Sequence, residues 1–165
     1  MNNNLKIVEQ NILLADAQVV AHCCNNMNKM GSGVARALRC RFPEVYATDT
    51  KSYINFGSAM LGKCVLVPIT TLPNQTKLLY VANLYGQLGY GTMHLRYVHY
   101  EGFYLALESL IKQMSEQNMT RLALPYKIGA DRAGGNWNII ETMVKEVIKG
   151  SNIEVTLYKL PKKLM

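Results

Sequence analysis

The residue types that could do chemistry gather in two glycine-bearing stretches far apart in the chain. One runs from Cys23-Cys24-Asn25-Asn26 through Met30-Gly31-Ser32-Gly33-Val34-Ala35. The other is Pro125-Tyr126-Lys127-Ile128-Gly129-Ala130-Asp131-Arg132-Ala133-Gly134-Gly135-Asn136-Trp137. Each lies between a strand-like and a helix-like segment. At such a junction, backbone N–H groups and a helix N-terminus converge on one point, which suits an anion. Two of them in one small domain imply a clamp around a diphosphate. Asp131 and Arg132 sit inside the second stretch. A carboxylate there has the chemistry of a general base or nucleophile. The plainer alternative is an ion pair with Arg132 or Lys127. His22, just before the first stretch, is a candidate general acid or base because histidine titrates near neutrality. A hydrogen-bonded core histidine is its rival reading.

Other chemistries are disfavoured. Gly31-Ser32-Gly33-Val34-Ala35-Arg36 offers G-x-G but puts Arg36 where a dinucleotide fingerprint needs its third glycine. No G-K-[ST] phosphate loop occurs. The four cysteines, Cys23, Cys24, Cys40 and Cys64, form no C-x-x-C pair, and three scattered histidines, His22, His94 and His99, lack metal-ligand spacing. No metal and no cofactor are therefore expected. Adjacent Cys23 and Cys24 on a strand face opposite ways, so one is expected to be buried; inert structural thiols are the expectation, with a reactive thiol near the first loop as the rival reading. The net charge of +7 suits an anionic ligand, although Lys159, Lys162 and Lys163 place part of it in the tail. Nucleic acid ranks below a nucleotide as partner, because the basic residues are dispersed and no readout module is present.

The elements that must hold these groups alternate along the chain. Leu5–Glu9, Gln18–Cys24, Lys63–Ile69, Leu78–Leu84, Arg121–Leu124 and Ile153–Leu160 are rich in Val, Leu and Ile and read as strands. Val34, Ala37, Leu38 and Phe42 follow helical spacing up to Pro43. Phe103, Leu107, Leu110, Ile111 and Met114 define one face of a second helix. Ile140, Met143, Val144, Val147 and Ile148 form the stripe of a third. Asn138 with Glu141 could cap that last helix, with Asn136 as a rival. Such alternation implies an α/β sandwich with helices on both faces of a central sheet. At 165 residues without a linker or repeat, one domain spanning residues 1–165 is expected. No apolar run reaches membrane-spanning length and the N-terminus shows no signal-peptide core, so a cytoplasmic location is expected. Nothing demands more than a monomer.

The same residues carry a resemblance. Ala21-His22-Cys23-Cys24-Asn25 followed by Met30-Gly31-Ser32-Gly33-Val34-Ala35 resembles the first ligand loop of macrodomains, the ADP-ribose-binding superfamily. Leu61-Gly62-Lys63-Cys64-Val65-Leu66-Val67-Pro68 resembles the middle strand of yeast-type ADP-ribose 1″-phosphate phosphatases. Residues 128–137 lie without gaps on the second macrodomain loop, usually I-G-x-G-x-x-G. Val155-Thr156-Leu157-Tyr158 resembles the final strand of the branch that includes ADP-ribosyl-glutamate hydrolases. The resemblance implies a three-layer α/β/α sandwich with a mixed central sheet. It implies adenine recognition by Asn11 and Ile12, with Asn standing where the family commonly has Asp, and stacking by Tyr158. It assigns Asn25 to the distal ribose. Gly31, Ser32, Gly33 and Val34 would flank one side of the diphosphate, and Ile128, Gly129, Ala130, Arg132, Ala133 and Gly134 the other.

Departures from the pattern matter as much. Asp131 replaces the family's second glycine, and the Asp-Arg pair of the glutamate hydrolases aligns two positions away. The lysine which that branch uses after a middle strand has no counterpart in Asn83-Leu84-Tyr85-Gly86-Gln87. Gln87, Tyr90 and Arg96 resemble a feature of some bacterial and viral macrodomains and are candidates for the distal-ribose end. The alternative has them packing the first turn of the next helix. His22 matches the branch that writes H-C where other macrodomains write N-A. The implied function is hydrolysis of an ADP-ribose derivative, either ADP-ribose 1″-phosphate or an ADP-ribosylated macromolecule, with Asp131 and His22 as catalytic candidates. The competing expectation is a non-catalytic module that binds or sequesters ADP-ribose or a signal nucleotide made from NAD.

Overall fold

The computed structural model describes residues 5–70, 77–91 and 95–162. His94 and Lys163, weighed above, lie outside the described residues. Six strands form one sheet in the order β1-β6-β5-β2-β4-β3. They are β1 (Leu5–Glu9), β2 (Val19–Asn25), β3 (Cys64–Pro68), β4 (Tyr80–Gln87), β5 (Arg121–Pro125) and β6 (Glu154–Lys159). All neighbours are parallel except β3, which runs antiparallel to β4 along the edge. The sheet is therefore mixed, as expected. The central strand β2 is nearly a continuous buried run, which a sheet covered on both faces requires.

Alternate residues of each strand feed two separate cores. Val19 and Ala21 of β2 with Ala82 and Leu84 of β4 pack under α3 (Tyr100–Glu116) and α4 (Trp137–Ile148). Val20 and Cys24 with Val81 and Tyr85 pack on the opposite face, together with Leu38 of α1 (Gly33–Arg41) and Val45 of α2 (Pro43–Phe56). The three layers are thus α3 and α4, the sheet, and α1 and α2. The stripe Phe103, Leu107, Leu110 and Met114 is fully buried, each such side chain contributing roughly 1.5–3 kcal/mol of transfer free energy.

Two sequence readings need correction. Pro43 does end α1, but it also begins α2, a helix the periodicity argument passed over. Proline at a helix's first position forfeits no hydrogen bond and presets φ. The cap of α4 is Asn136, whose Oδ1 accepts from Asn138 N at 2.9 Å; Asn138 lies inside the helix. No helix among the described residues is long and apolar enough to cross a membrane.

Candidate functional site

A cleft of about 610 Å³ opens at the carboxyl ends of β2, β4 and β5, where open α/β sheets place their ligand sites. Gly31, Ser32, Gly33 and Val34 form one wall. Ile128, Gly129, Asp131, Arg132 and Ala133 form the other, and Gln87 and Tyr90 stand at one end. The two loops singled out in the sequence therefore do face each other across a hollow.

The first wall (residues 25–32, loop 1) is shaped by amide side chains. Asn25 Oδ1 accepts from Met27 N at 3.0 Å and from Lys29 N at 3.3 Å, and its Nδ2 donates to Lys29 O at 2.8 Å. Three residues on, Asn28 adopts φ +58° and docks on α2: Tyr46 Oη donates to its carbonyl at 3.3 Å and Thr50 Oγ1 to its Oδ1 at 3.2 Å. The loop ends at Ser32, the N-cap of α1, whose hydroxyl makes no capping bond. Gly33 follows with φ +59°, a conformation side chains resist. The first-turn N–H groups of α1 lack intrahelical partners and give that end its partial positive charge.

The second wall (residues 126–136, loop 2) is shaped by main chain. Gly135 N donates to Gly129 O at 2.9 Å, closing the loop on itself. Tyr97 N and Val98 N both donate to Ala133 O, at 2.7 and 3.0 Å. Gly134 has φ +72°, and a Cβ there would collide with the Leu95 carbonyl oxygen. Residues 95–98 also reach β4: Leu88 N donates to Tyr97 O, and Gln87 bridges to Val98. With the backbone so pinned, Asp131 and Arg132 project from an exposed tip. Neither makes an ion pair among the described residues, so the pairing of Asp131 with Arg132 or Lys127 does not occur.

The floor is buried and polar. His22 is 1% exposed, and its Nε2 lies 2.7 Å from Asn83 Oδ1 on the neighbouring strand. That oxygen can only accept, so Nε2 carries the proton. Burial holds the His22 pKa down to about 4, the Asn83 bond opposing it in part. The ring is neutral at ordinary pH. Beside it, Tyr85 Oη donates to Asp49 Oδ1 at 2.6 Å. Burial raises the pKa of Asp49, and it raises that of Tyr85 as well. Cys23 and Cys24 do face opposite cores, and burial pushes the first thiol up to about 12 and the second well above its ordinary value. Neither forms thiolate readily, and Cys64, also up to about 12, behaves the same way. Among the described residues no group of three His, Cys, Asp or Glu is placed to hold a metal.

No protein-family model matches the chain. It is 32% identical over 133 residues to an uncharacterized 17.5 kDa protein of Enterobacteria phage T4, covering 78% of this chain and 79% of that one. It is also 34% identical over 68 residues to the ADP-ribose 1″-phosphate phosphatase of Saccharomyces cerevisiae strain YJM789. That match takes in 40% of this chain and 38% of the phosphatase. The macrodomain of Mycobacterium tuberculosis DarG superposes with a TM-score of 0.76 at 19% identity, over 96% of this chain and 98% of that one. The chain has the macrodomain fold. Thermosipho africanus DarTG, solved in complex with ADP-ribose, also superposes, with a TM-score of 0.79 at 19% identity. It covers 98% of this chain and 43% of that one.

Other sequence-named residues fall outside the cleft lining. Asn11 caps a 3-10 turn, Ile12–Leu14, through Leu13 N. Ile12 borders a separate hollow of about 240 Å³ with Val20, Leu38 and Phe42. Tyr158 is buried in the same core cluster as Ile12. Arg96 turns toward α3, its guanidinium 4.5 Å above the Tyr100 ring. Ala130 and Gly134 shape loop 2 without lining the cleft. Gln87, by contrast, lines the cleft, and its Nε2 donates to Gly89 O at 2.9 Å.

Conversely, Asn28, Lys29, Arg39, Tyr46 and Asp49 line the cleft although the sequence reading passed over them. The signal was Pro43, followed by thirteen residues without Gly or Pro, which marks a helix start. Reading α2 would have brought Tyr46 and Asp49 onto the side of loop 1.

Proposed function

We propose that this macrodomain binds ADP-ribose or a derivative across the cleft and hydrolyses the substituent at the distal ribose. The backbone donors of loops 1 and 2 suit a diphosphate. The curated relative that is an ADP-ribose 1″-phosphate phosphatase, and the fold neighbour solved with ADP-ribose, support the ligand class. One observation carries the catalytic part: Asp131 is an exposed carboxylate without an ion pair among the described residues, on the cleft wall opposite the N-terminus of α1. Asp131 takes a proton from a water molecule as that water attacks C1″, the bond from C1″ to the substituent's oxygen breaks, and that oxygen departs with the electron pair; the clamp contributes by positioning. The leaving group is phosphate or the side chain of an ADP-ribosylated macromolecule. His22, neutral and tied to Asn83, is a wall of the site rather than a proton donor.

The test is turnover by Asp131→Ala, with products of ADP-ribose 1″-phosphate and of an ADP-ribosylated protein separated by chromatography. Turnover should fall by roughly 10²–10⁴-fold while ADP-ribose binding changes little. Unchanged turnover removes Asp131 from the mechanism. A second reading, stoichiometric capture without chemistry, draws on the absence of any lysine from the stretch Asn83–Gln87 at the cleft's end. Wild-type protein that retains the ligand and yields no product from either substrate decides for it.

A further inference from the structure

Residues 95–100 run alongside loop 2 and hold it at two points. The first is main chain: Tyr97 N and Val98 N both donate to Ala133 O. The second is a side chain: Tyr100 Oη accepts from Asn136 N at 2.9 Å. Asp131 stands just before this twice-held stretch. We propose that Tyr100 is a positioning residue for the reaction assigned above to Asp131, and that Arg96 serves it by covering its ring. The inference rests on that reading and adds what keeps the carboxylate in place.

The need for such a tie follows from the sequence. Asn136 is the N-cap of α4, and an N-cap N–H lies outside the helical hydrogen-bond ladder. A capping box would satisfy it with a Glu or Gln at the third helical position. That position in α4 is Ile139, whose side chain has no acceptor. The acceptor comes instead from another element, the phenol of Tyr100 at the start of α3. Loop 2 also carries Gly129 and Gly134, both at positive φ. Backbone so permissive holds a side chain in one place only when it is fixed from outside.

Tyr100 is itself held. His99, directly before it, donates its N to Gly86 O at 2.8 Å and caps α3 by accepting from Gly102 N at Nδ1, 3.0 Å away. The base of the phenol is thereby tied to β4. Over the ring sits the Arg96 guanidinium, 4.5 Å from the centroid. Arg96 makes no ion pair among the described residues, which leaves the ring as its partner. The Tyr100 bond is exposed, so water replaces it when the hydroxyl is removed. Its loss therefore leaves folding nearly unchanged but frees one end of loop 2. Placement is the sensitive quantity, because a displacement of about 1 Å can cost roughly 10²-fold in rate.

The test is Tyr100→Phe, which keeps the ring and the Arg96 stack. The substrate is whichever the wild type consumes, ADP-ribose 1″-phosphate or an ADP-ribosylated protein. The value of kcat should fall roughly tenfold, while KM and the Kd for ADP-ribose stay within about twofold. Arg96→Ala should lower kcat by roughly threefold, and Arg96→Lys should recover part of that. Tyr104→Phe removes a hydroxyl one turn further along α3 and should leave kcat unchanged. In an Asp131→Ala background, Tyr100→Phe should change turnover no further. The proposal is overturned if Tyr100→Phe keeps wild-type kcat, if it raises KM as much as it lowers kcat, or if it costs the same factor with Asp131 absent. The split between kcat and KM decides alone where Asp131→Ala is too slow to read. If Asp131→Ala turns over like wild type, or wild type yields no product, the catalytic reading falls and this one with it. If Asp131→Ala is impaired and Tyr100→Phe is not, only the role of Tyr100 falls.

Discussion

Loop 1 and loop 2 solve the same problem in opposite ways. Loop 1 uses side chains for shape: the Asn25 amide makes three bonds within its own segment, and Asn28 is anchored to Tyr46 and Thr50. Loop 2 uses main chain for shape, through Ala133 O, Gly129 O and glycine backbone. The consequence is functional. A loop held by its backbone leaves its side chains at liberty, and Asp131 and Arg132 are the ones left over. The polar residue of loop 1 that the sequence assigned to the distal ribose, Asn25, is already occupied with architecture. The acid on loop 2 is not.

Asp131→Ala is the sharpest test of that division, with its expected loss of roughly 10²–10⁴-fold in turnover at near-constant affinity. Its mirror is Gly134→Ala, which attacks the backbone on which Asp131 stands. A methyl group at φ +72° meets the Leu95 carbonyl, so the variant should lose about 2–3 kcal/mol of stability in denaturant titration. Turnover of the folded fraction should drop as well. A Gly134→Ala protein as stable as wild type would mean that residues 95–98 do not brace the loop.

Between the walls lies the floor, and pH separates it from both. The folded pKa of His22 is about 4 against an ordinary 6.5. Between those values the unfolded chain binds more protons, so stability rises with pH. The contribution is complete above about pH 6.5 and is lost as pH falls through about 4, a span worth roughly 3–4 kcal/mol. Asp49, whose pKa is raised, acts in the opposite sense and is common to both proteins compared. His22→Gln keeps a donor for Asn83 and should flatten the acid limb of stability against pH relative to wild type. Parallel curves would show that His22 does not titrate on unfolding in this window.

The legibility of the chain follows the same contrast. β1 was readable to the residue, Leu5–Glu9, because short Val- and Ile-rich runs bounded by polar residues have few alternatives. Loop 2 was readable because glycines with positive φ are visible as glycines. The part of the cleft lined by Tyr46 and Asp49 was not. It depends on α2, whose apolar positions are interrupted by Tyr46, Thr48 and Asp49, and on contacts more than fifteen residues apart such as Tyr46 with Asn28. The asparagines of loop 1 carried no mark distinguishing a ligand contact from a scaffold bond. Asn25 reads equally well as either until the bonds to Met27 and Lys29 are in view.

That ambiguity yields the smallest of the expected effects. Asn25→Ala removes one acceptor shared by two backbone donors and one donor to a carbonyl, all partly buried, and should cost about 1–2 kcal/mol of stability. If Asn25 acts as scaffold, ADP-ribose affinity should fall by roughly tenfold through a loosened loop 1, with the pH dependence of binding unchanged. Asn25→Asp separates scaffold from contact. The carboxylate still accepts from Met27 N and Lys29 N but cannot donate to Lys29 O, so the loop keeps most of its shape. A scaffold role predicts that it stays closer to wild type than to Asn25→Ala in stability. Affinity should fall modestly, because a negative charge now sits beneath an anionic ligand. Asn25→Asp as stable as wild type, with binding abolished, would instead make Asn25 a direct ligand contact. Loop 1 would then contact the ligand directly, as is proposed for loop 2 through Asp131.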